Sequence, residues 1–131
     1  MVTFLRAAAD RLGAYASFVR ISHSVFALPF ALVGAILASR ATPFDWTRLW
    51  WIVACMVFAR SAAMGFNRLA DAGFDARNPR TEGRELPRGR MSRREAVGFV
   101  VASSALFMAS AWPLGWLCFV LSPVALAIVF W

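Results

Sequence analysis

Asn67, Asp71 and Asp75 stand four residues apart, and a segment rich in arginine begins directly behind them. On an α-helix four residues turn the chain through about 400°, so the three side chains would form one slowly drifting stripe. Arg60, seven residues before Asn67, falls on nearly the same line. Two carboxylates one turn apart repel each other unless a cation or a base lies between them. Magnesium suits such a pair: it takes hard oxygen ligands, often only one or two carboxylates, and completes its shell with water and substrate phosphates. Asn67 adds a neutral amide that can coordinate or donate. The arginines downstream offer planar donors that stay charged, which is what diphosphate oxygens need. The pattern reads as a metal-diphosphate site. On spacing alone a plainer reading stays open, in which Asp71 pairs with Arg68, Asp75 caps a helix end, and Gly73 breaks the stripe between them.

The rest of the chain must hold those groups at a membrane. Of its 131 residues 60% are hydrophobic, against the usual ~45–50%, and the mean hydropathy is +0.62. Twelve Phe and six Trp add apolar surface that a soluble domain of this size cannot hide, since it buries only about two thirds of its chain surface. The net charge of +7 comes from fourteen arginines and no lysine. Seven of those arginines crowd into residues 76–94 beside apolar segments. That is the positive-inside pattern of a membrane protein, and it argues against nucleic acid as a partner.

The expected fold class is all-α, an integral membrane helical bundle, with residues 1–131 as one transmembrane domain. Residues 1–21 read as an interfacial amphipathic helix, because Phe4, Leu5, Ala8, Leu12, Tyr15 and Val19 recur at helical spacing with arginines between them. Spans follow at about 22–39, 46–69, 94–112 and 114–131. Pro29 kinks the first, Trp46, Trp50 and Trp51 form an aromatic belt at the start of the second, and Pro113 ends the third. Pro79, Gly83, Pro87 and Gly89 rule out a continuous helix through the 76–94 loop. Ser92 and Glu95 form a capping box that starts the next helix. Cys55 and Cys118 lie in apolar runs and read as small hydrophobes. No cleavable signal peptide is evident. The arginine counts place the N-terminus and the 76–94 loop in the cytoplasm, in a multi-pass protein of a bacterial-type inner membrane.

The run NRLADAGFD, followed by ARNPRT and then GRELPRG, resembles the UbiA superfamily of membrane prenyltransferases. Their first aspartate-rich motif reads Asn-x-x-x-Asp-x-x-x-Asp, followed by a loop with Arg-Thr, Arg and Leu-Pro. Here those positions are Asn67, Asp71 and Asp75, then Arg80-Thr81, Arg84 and Leu86-Pro87. The resemblance runs from about Ser22 onward and looks closest to members acting on 4-hydroxybenzoate, or to their menaquinone-pathway relatives. Arg68 departs from the pattern, because many members carry a second Asp after the Asn, and this leaves the aromatic acceptor open.

The resemblance implies transfer of a polyprenyl group from polyprenyl diphosphate to an aromatic acid in quinone biosynthesis, with Mg2+ as cofactor. Asn67, Asp71 and Asp75 would hold metal and diphosphate, with Asp71 and Asp75 as the catalytic pair, while Arg80 and Arg84 would clamp diphosphate oxygens. Arg60 would face the cavity toward substrate, or else snorkel to the headgroups. Ser22 and His23 are acceptor-site candidates, against the alternative of an interfacial histidine bonded to water or backbone. The family has nine transmembrane helices and a second aspartate-rich motif. After residue 85 the only acid here is Glu95, so the expectation is an N-terminal portion, inactive alone. A phosphatidyltransferase would need an Asp-x-x-Asp-Gly run and a later Ala-Arg, which are not present in order. A non-catalytic membrane protein or transporter subunit, using the arginine loop to hold anionic lipid, is the alternative from outside enzymology.

Overall fold

Thirty consecutive residues, Trp46–Asp75, form one unbroken helix in the computed structural model of the chain, and the other elements are hung on it. The structure describes the backbone of all residues but Met1, Arg20 and Thr42. It describes the side chains of all residues except these three and 2–5, 7–8, 11–12, 19, 21–27 and 38. In chain order the helices are α1 (Val2–Val19), α2 (Ile21–Ala38), α3 (Trp46–Asp75), α4 (Arg93–Ala111) and α5 (Trp116–Phe130), with a 3-10 turn at Trp112–Leu114 before α5. Among the described residues there is no strand.

Local chemistry sets the helix ends. Asp45 caps α3 by accepting from the Thr47 N–H at 2.8 Å. The Ser92 hydroxyl accepts from the Glu95 N–H at 3.2 Å, and the Glu95 carboxylate accepts from the Ser92 N–H at 2.8 Å. This is the reciprocal capping box the sequence predicts for the start of α4. After Ala111 the chain tightens through Trp112–Leu114 around Pro113. Gly115 then takes φ +131°, a conformation side-chain-bearing residues avoid, and opens α5.

Helix α3 outlasts the predicted span of 46–69 by a further six residues, and Gly73 does not break it. One glycine costs a helix about 1 kcal/mol, too little to stop a ladder whose far end is tied down. Here the Ala76 N–H bonds Ala72 O, and the Thr81 hydroxyl donates to the Asp75 carbonyl at 3.2 Å. At 1.5 Å per residue the helix is about 45 Å long, some 15 Å more than a hydrocarbon core.

Among the described residues, two segments, Trp46–Asp75 and Arg93–Leu114, are long and apolar enough to cross a membrane, and the described apolar runs Leu28–Leu37 and Trp116–Phe130 are shorter. Only 17% and 22% of the most apolar stretches of the two long segments are buried within the chain, whereas the core helix of a soluble domain would be mostly covered. Phe30, Trp50, Val101, Trp116, Leu117 and Ile128 are all more than half exposed. Their covering is lipid or further helices, and the chain is a helical membrane bundle.

Among the described residues, the compact core lies at the loop end of the bundle. Phe18 of α1, Met91 of the loop and Ala96 of α4 are buried together, with Tyr15, Leu69, Leu86 and Phe99 packed against them. Phe18 meets Phe99 edge-on, ring centroids 5.8 Å apart. Helices α3 and α4 approach closely at Gly65, where a Cβ would fall 2.7 Å from Val100 Cγ2 and 3.3 Å from Phe18 Cε1. We expect Gly65→Ala to lose about 1–3 kcal/mol through overpacking, and Val100→Ala in the same chain to restore part of that loss. Thermal unfolding in detergent of the single and double variants measures both effects.

Candidate functional site

Because α3 is continuous, Arg60, Asn67 and Asp71 share one helix face, and Asp75 follows at the helix's last residue. Their exposure differs along the stripe. Arg60 is half-buried in the apolar part of the helix, and its Nε is a buried donor without a hydrogen-bond partner. Asn67 is exposed, Asp71 half-buried and Asp75 buried at 6% exposure.

Asp75 is buried with a cation. Arg84 Nη1 donates to both of its carboxylate oxygens, at 2.7 Å to Oδ1 and 2.6 Å to Oδ2. The intervening chain is a series of turns. The Asn78 side chain accepts from the Arg80 N–H at 3.0 Å, the Asn78 carbonyl accepts from the N–H groups of Thr81 and Glu82, and the Thr81 carbonyl accepts from the Arg84 N–H. Asn78 thus supplies the side-chain turn that folds the loop back over the end of α3. Arg80 is left exposed, its backbone fixed and its guanidinium at the surface.

A second carboxylate, Glu85, is buried at 7% exposure; it accepts a hydrogen bond from the Ser17 hydroxyl of α1, and its Oε2 has no partner. It borders a cleft of about 600 Å³ between α1 and the loop, together with Asp10, Gly13, Ser17 and Arg90. Spacing gives no sign of the Thr81 and Glu85 roles. Thr81 is visible in the sequence only as part of a motif, and Glu85 meets a residue sixty-eight positions away. The Ser22 and His23 side chains lie outside the described residues.

The donors fit a hard divalent cation in kind. Asn67 and Asp71 offer an amide and a carboxylate oxygen one turn apart on the same face, and Asp75 adds a second carboxylate. Among the described residues no group of three His, Cys, Asp or Glu side chains is gathered for a metal. A cation such as magnesium does not need a closed cage, since it keeps waters and takes phosphate oxygens. Both Asp75 oxygens are engaged by Arg84, however, so in this conformation exposed Asn67 and half-buried Asp71 are the donors that no ion pair among the described residues engages.

Residues 27–131 match the UbiA prenyltransferase family. The chain is 33% identical over 120 residues to a 4-hydroxybenzoate octaprenyltransferase of Thiobacillus denitrificans, a match covering 89% of this chain and 41% of that protein. It is 34% identical over 122 residues to the protein of the same name from Herminiimonas arsenicoxydans, covering 91% and 43%. A protoheme IX farnesyltransferase of Verminephrobacter eiseniae is 35% identical over 96 residues, covering 68% and 32%. Among solved structures, the apo structure of a UbiA homolog from Aeropyrum pernix K1 superposes with a TM-score of 0.77 at 44% identity, covering 84% of this chain and 39% of that one. The chain therefore spans about two fifths or less of the length of these relatives.

The turn geometry gives a direct expectation. Thr81→Val removes the hydroxyl that satisfies the Asp75 carbonyl and should cost about 1 kcal/mol. The loop should then be cut faster by trypsin at Arg77 and Arg80 than in the parent, while α4 stays resistant.

Proposed function

The chain belongs to the UbiA prenyltransferase family, and from that premise we propose that its protein transfers a polyprenyl group from polyprenyl diphosphate to an aromatic acceptor. The single observation that carries this reading is the polar face of α3, Asn67 and Asp71 running to Asp75, ending under a loop that presents Arg80 and Arg84. A diphosphate head needs hard-cation ligands and guanidinium donors together, and this end of the bundle holds both.

In this reading Asn67, Asp71 and Asp75 hold Mg2+, which when bound supplies Lewis-acid stabilisation of the departing diphosphate. Asp71, half-buried, is the first metal-holding carboxylate. Arg80, with its surface guanidinium, gathers diphosphate oxygens, and Arg84 neutralises charge at the inner end of the site. Arg60 lies lower on the same face, where its partnerless Nε can donate to a substrate oxygen. The electron-rich ring then attacks the allylic carbon as its bond to the diphosphate oxygen breaks, and the ring proton leaves to a base. The name shared by two relatives favours 4-hydroxybenzoate as acceptor, and the setting proposed from the family resemblance is quinone biosynthesis. The farnesyltransferase relative keeps a heme acceptor as the second reading. Ser22 and His23 are the proposed acceptor-side residues.

The protein is proposed to lie in a bacterial-type inner membrane with its N-terminus and the 76–94 loop on the cytoplasmic side. The packing of Phe18 against Met91, together with the Ser17–Glu85 hydrogen bond, supports having α1 and the loop at the same membrane face.

In the full-length protein Asp71→Asn should lower prenyl transfer about 100-fold or more, in line with losing one electrostatic contact to a leaving group. Radiolabelled prenyl diphosphate with 4-hydroxybenzoate as acceptor provides the assay. Undiminished transfer with unaltered magnesium dependence would rule the metal role out.

A further inference from the structure

A buried carboxylate that is paired with a cation is left strongly uncompensated when that cation is taken away. Asp75 is such a group, and Arg84 is its cation. Whatever draws Arg84 off Asp75 must bring positive charge with it. The two partners are not equally confined: the Arg84 side chain is 28% exposed and that of Asp75 9%. Arg84 also hangs from a run of turns, whereas Asp75 is fixed at the end of a thirty-residue helix with its carbonyl tied to Thr81. If the pair opens, the arginine is the partner that moves.

We propose that Arg84 is an exchangeable stand-in for the metal on Asp75. A divalent cation reaches that carboxylate only by displacing the guanidinium, and the displaced guanidinium becomes an arm for the diphosphate. The inference rests on the metal-diphosphate reading of the site and adds an order of events to it. The cation lands first on Asp71 and Asn67, since among the described residues no ion pair engages Asp71. It then completes its shell at Asp75, where its charge replaces the one that leaves. Arg84, no longer paired, turns its planar donors to the anion. Without metal, the same arginine is held down by Asp75 and binds diphosphate poorly. Cation and diphosphate therefore strengthen each other's binding, and the coupling is reciprocal.

The exchange predicts that removing a positive charge improves cation binding only as far as Asp75 is freed, and that removing a carboxylate improves anion binding. The full-length protein in detergent is titrated with manganese ion, read by electron paramagnetic resonance. Arg84→Gln should bind it about tenfold more tightly than the parent, within the usual range of coupling, and Arg84→Lys should stay close to the parent. Thermal stabilisation by the ion should likewise be greater in Arg84→Gln. In a second arm, with chelator present, Asp75→Asn should bind inorganic diphosphate more tightly than the parent. Equal or weaker manganese binding by a folded Arg84→Gln, beside normal binding by the parent, overturns the exchange and leaves the site reading standing. No manganese binding by the parent or any variant overturns the site reading and the exchange with it. Where Arg84→Gln does not fold, the second arm decides, and no gain in diphosphate affinity by Asp75→Asn overturns the exchange.

Discussion

The loop end of this bundle is organised by the need to neutralise Asp75, a carboxylate buried at the last residue of a membrane helix. Burying a charge is costly enough that the chain must bring a counter-charge to it. Arg84 can serve because residues 76–84 fold back in successive turns instead of extending into water. Asn78 makes the first turn and Thr81 ties it to the helix end. The ion pair and the turns depend on each other: without the turns Arg84 is out of reach, and without the ion pair the returning loop would cover a bare charge.

That folded-back loop is also fastened to the rest of the bundle. Met91 carries it into the small core with Phe18 and Ala96, and Glu85 reaches α1 through Ser17. Close approach of α3 and α4 at Gly65 sets where the two polar ends sit relative to each other. The site is thus built where the described residues pack on one another most densely, while most of the helical surface is left to lipid or to other helices. Rigid placement of ionic side chains and poor coverage of apolar ones both fit a helical membrane bundle.

Sequence periodicity exposes the parts of this arrangement that are local. The Asn67, Asp71 and Asp75 stripe follows from helical spacing alone, and the Ser92–Glu95 box from a three-residue interval. The same reading stops the membrane span at 69 and leaves open whether Gly73 breaks the stripe, because spacing does not weigh a glycine against what holds the helix end. What extends the helix is Thr81, which acts across a turn that spacing does not encode. The Asp75–Arg84 pair is hidden for a similar reason. Arg84 reads from sequence as one of seven loop arginines, and only the fold selects it. Glu85 and Ser17, sixty-eight residues apart, lie beyond any local pattern. The roles of the site residues in chemistry come from the family resemblance, not from periodicity.

The surplus length of α3 has a bearing on supply. A helix about 45 Å long exceeds a ~30 Å hydrocarbon core by roughly ten residues; with its Trp-rich start at one surface, the Asn67–Asp75 stripe would lie at the level of the headgroups of the other. A lipid-tailed diphosphate already floats at that level, tail in the leaflet and head in the water. Under the proposed function it would arrive by sliding sideways in two dimensions, its tail never leaving the oil. The encounter rate would then follow how crowded the leaflet is with that lipid, more than its concentration in the surrounding solution.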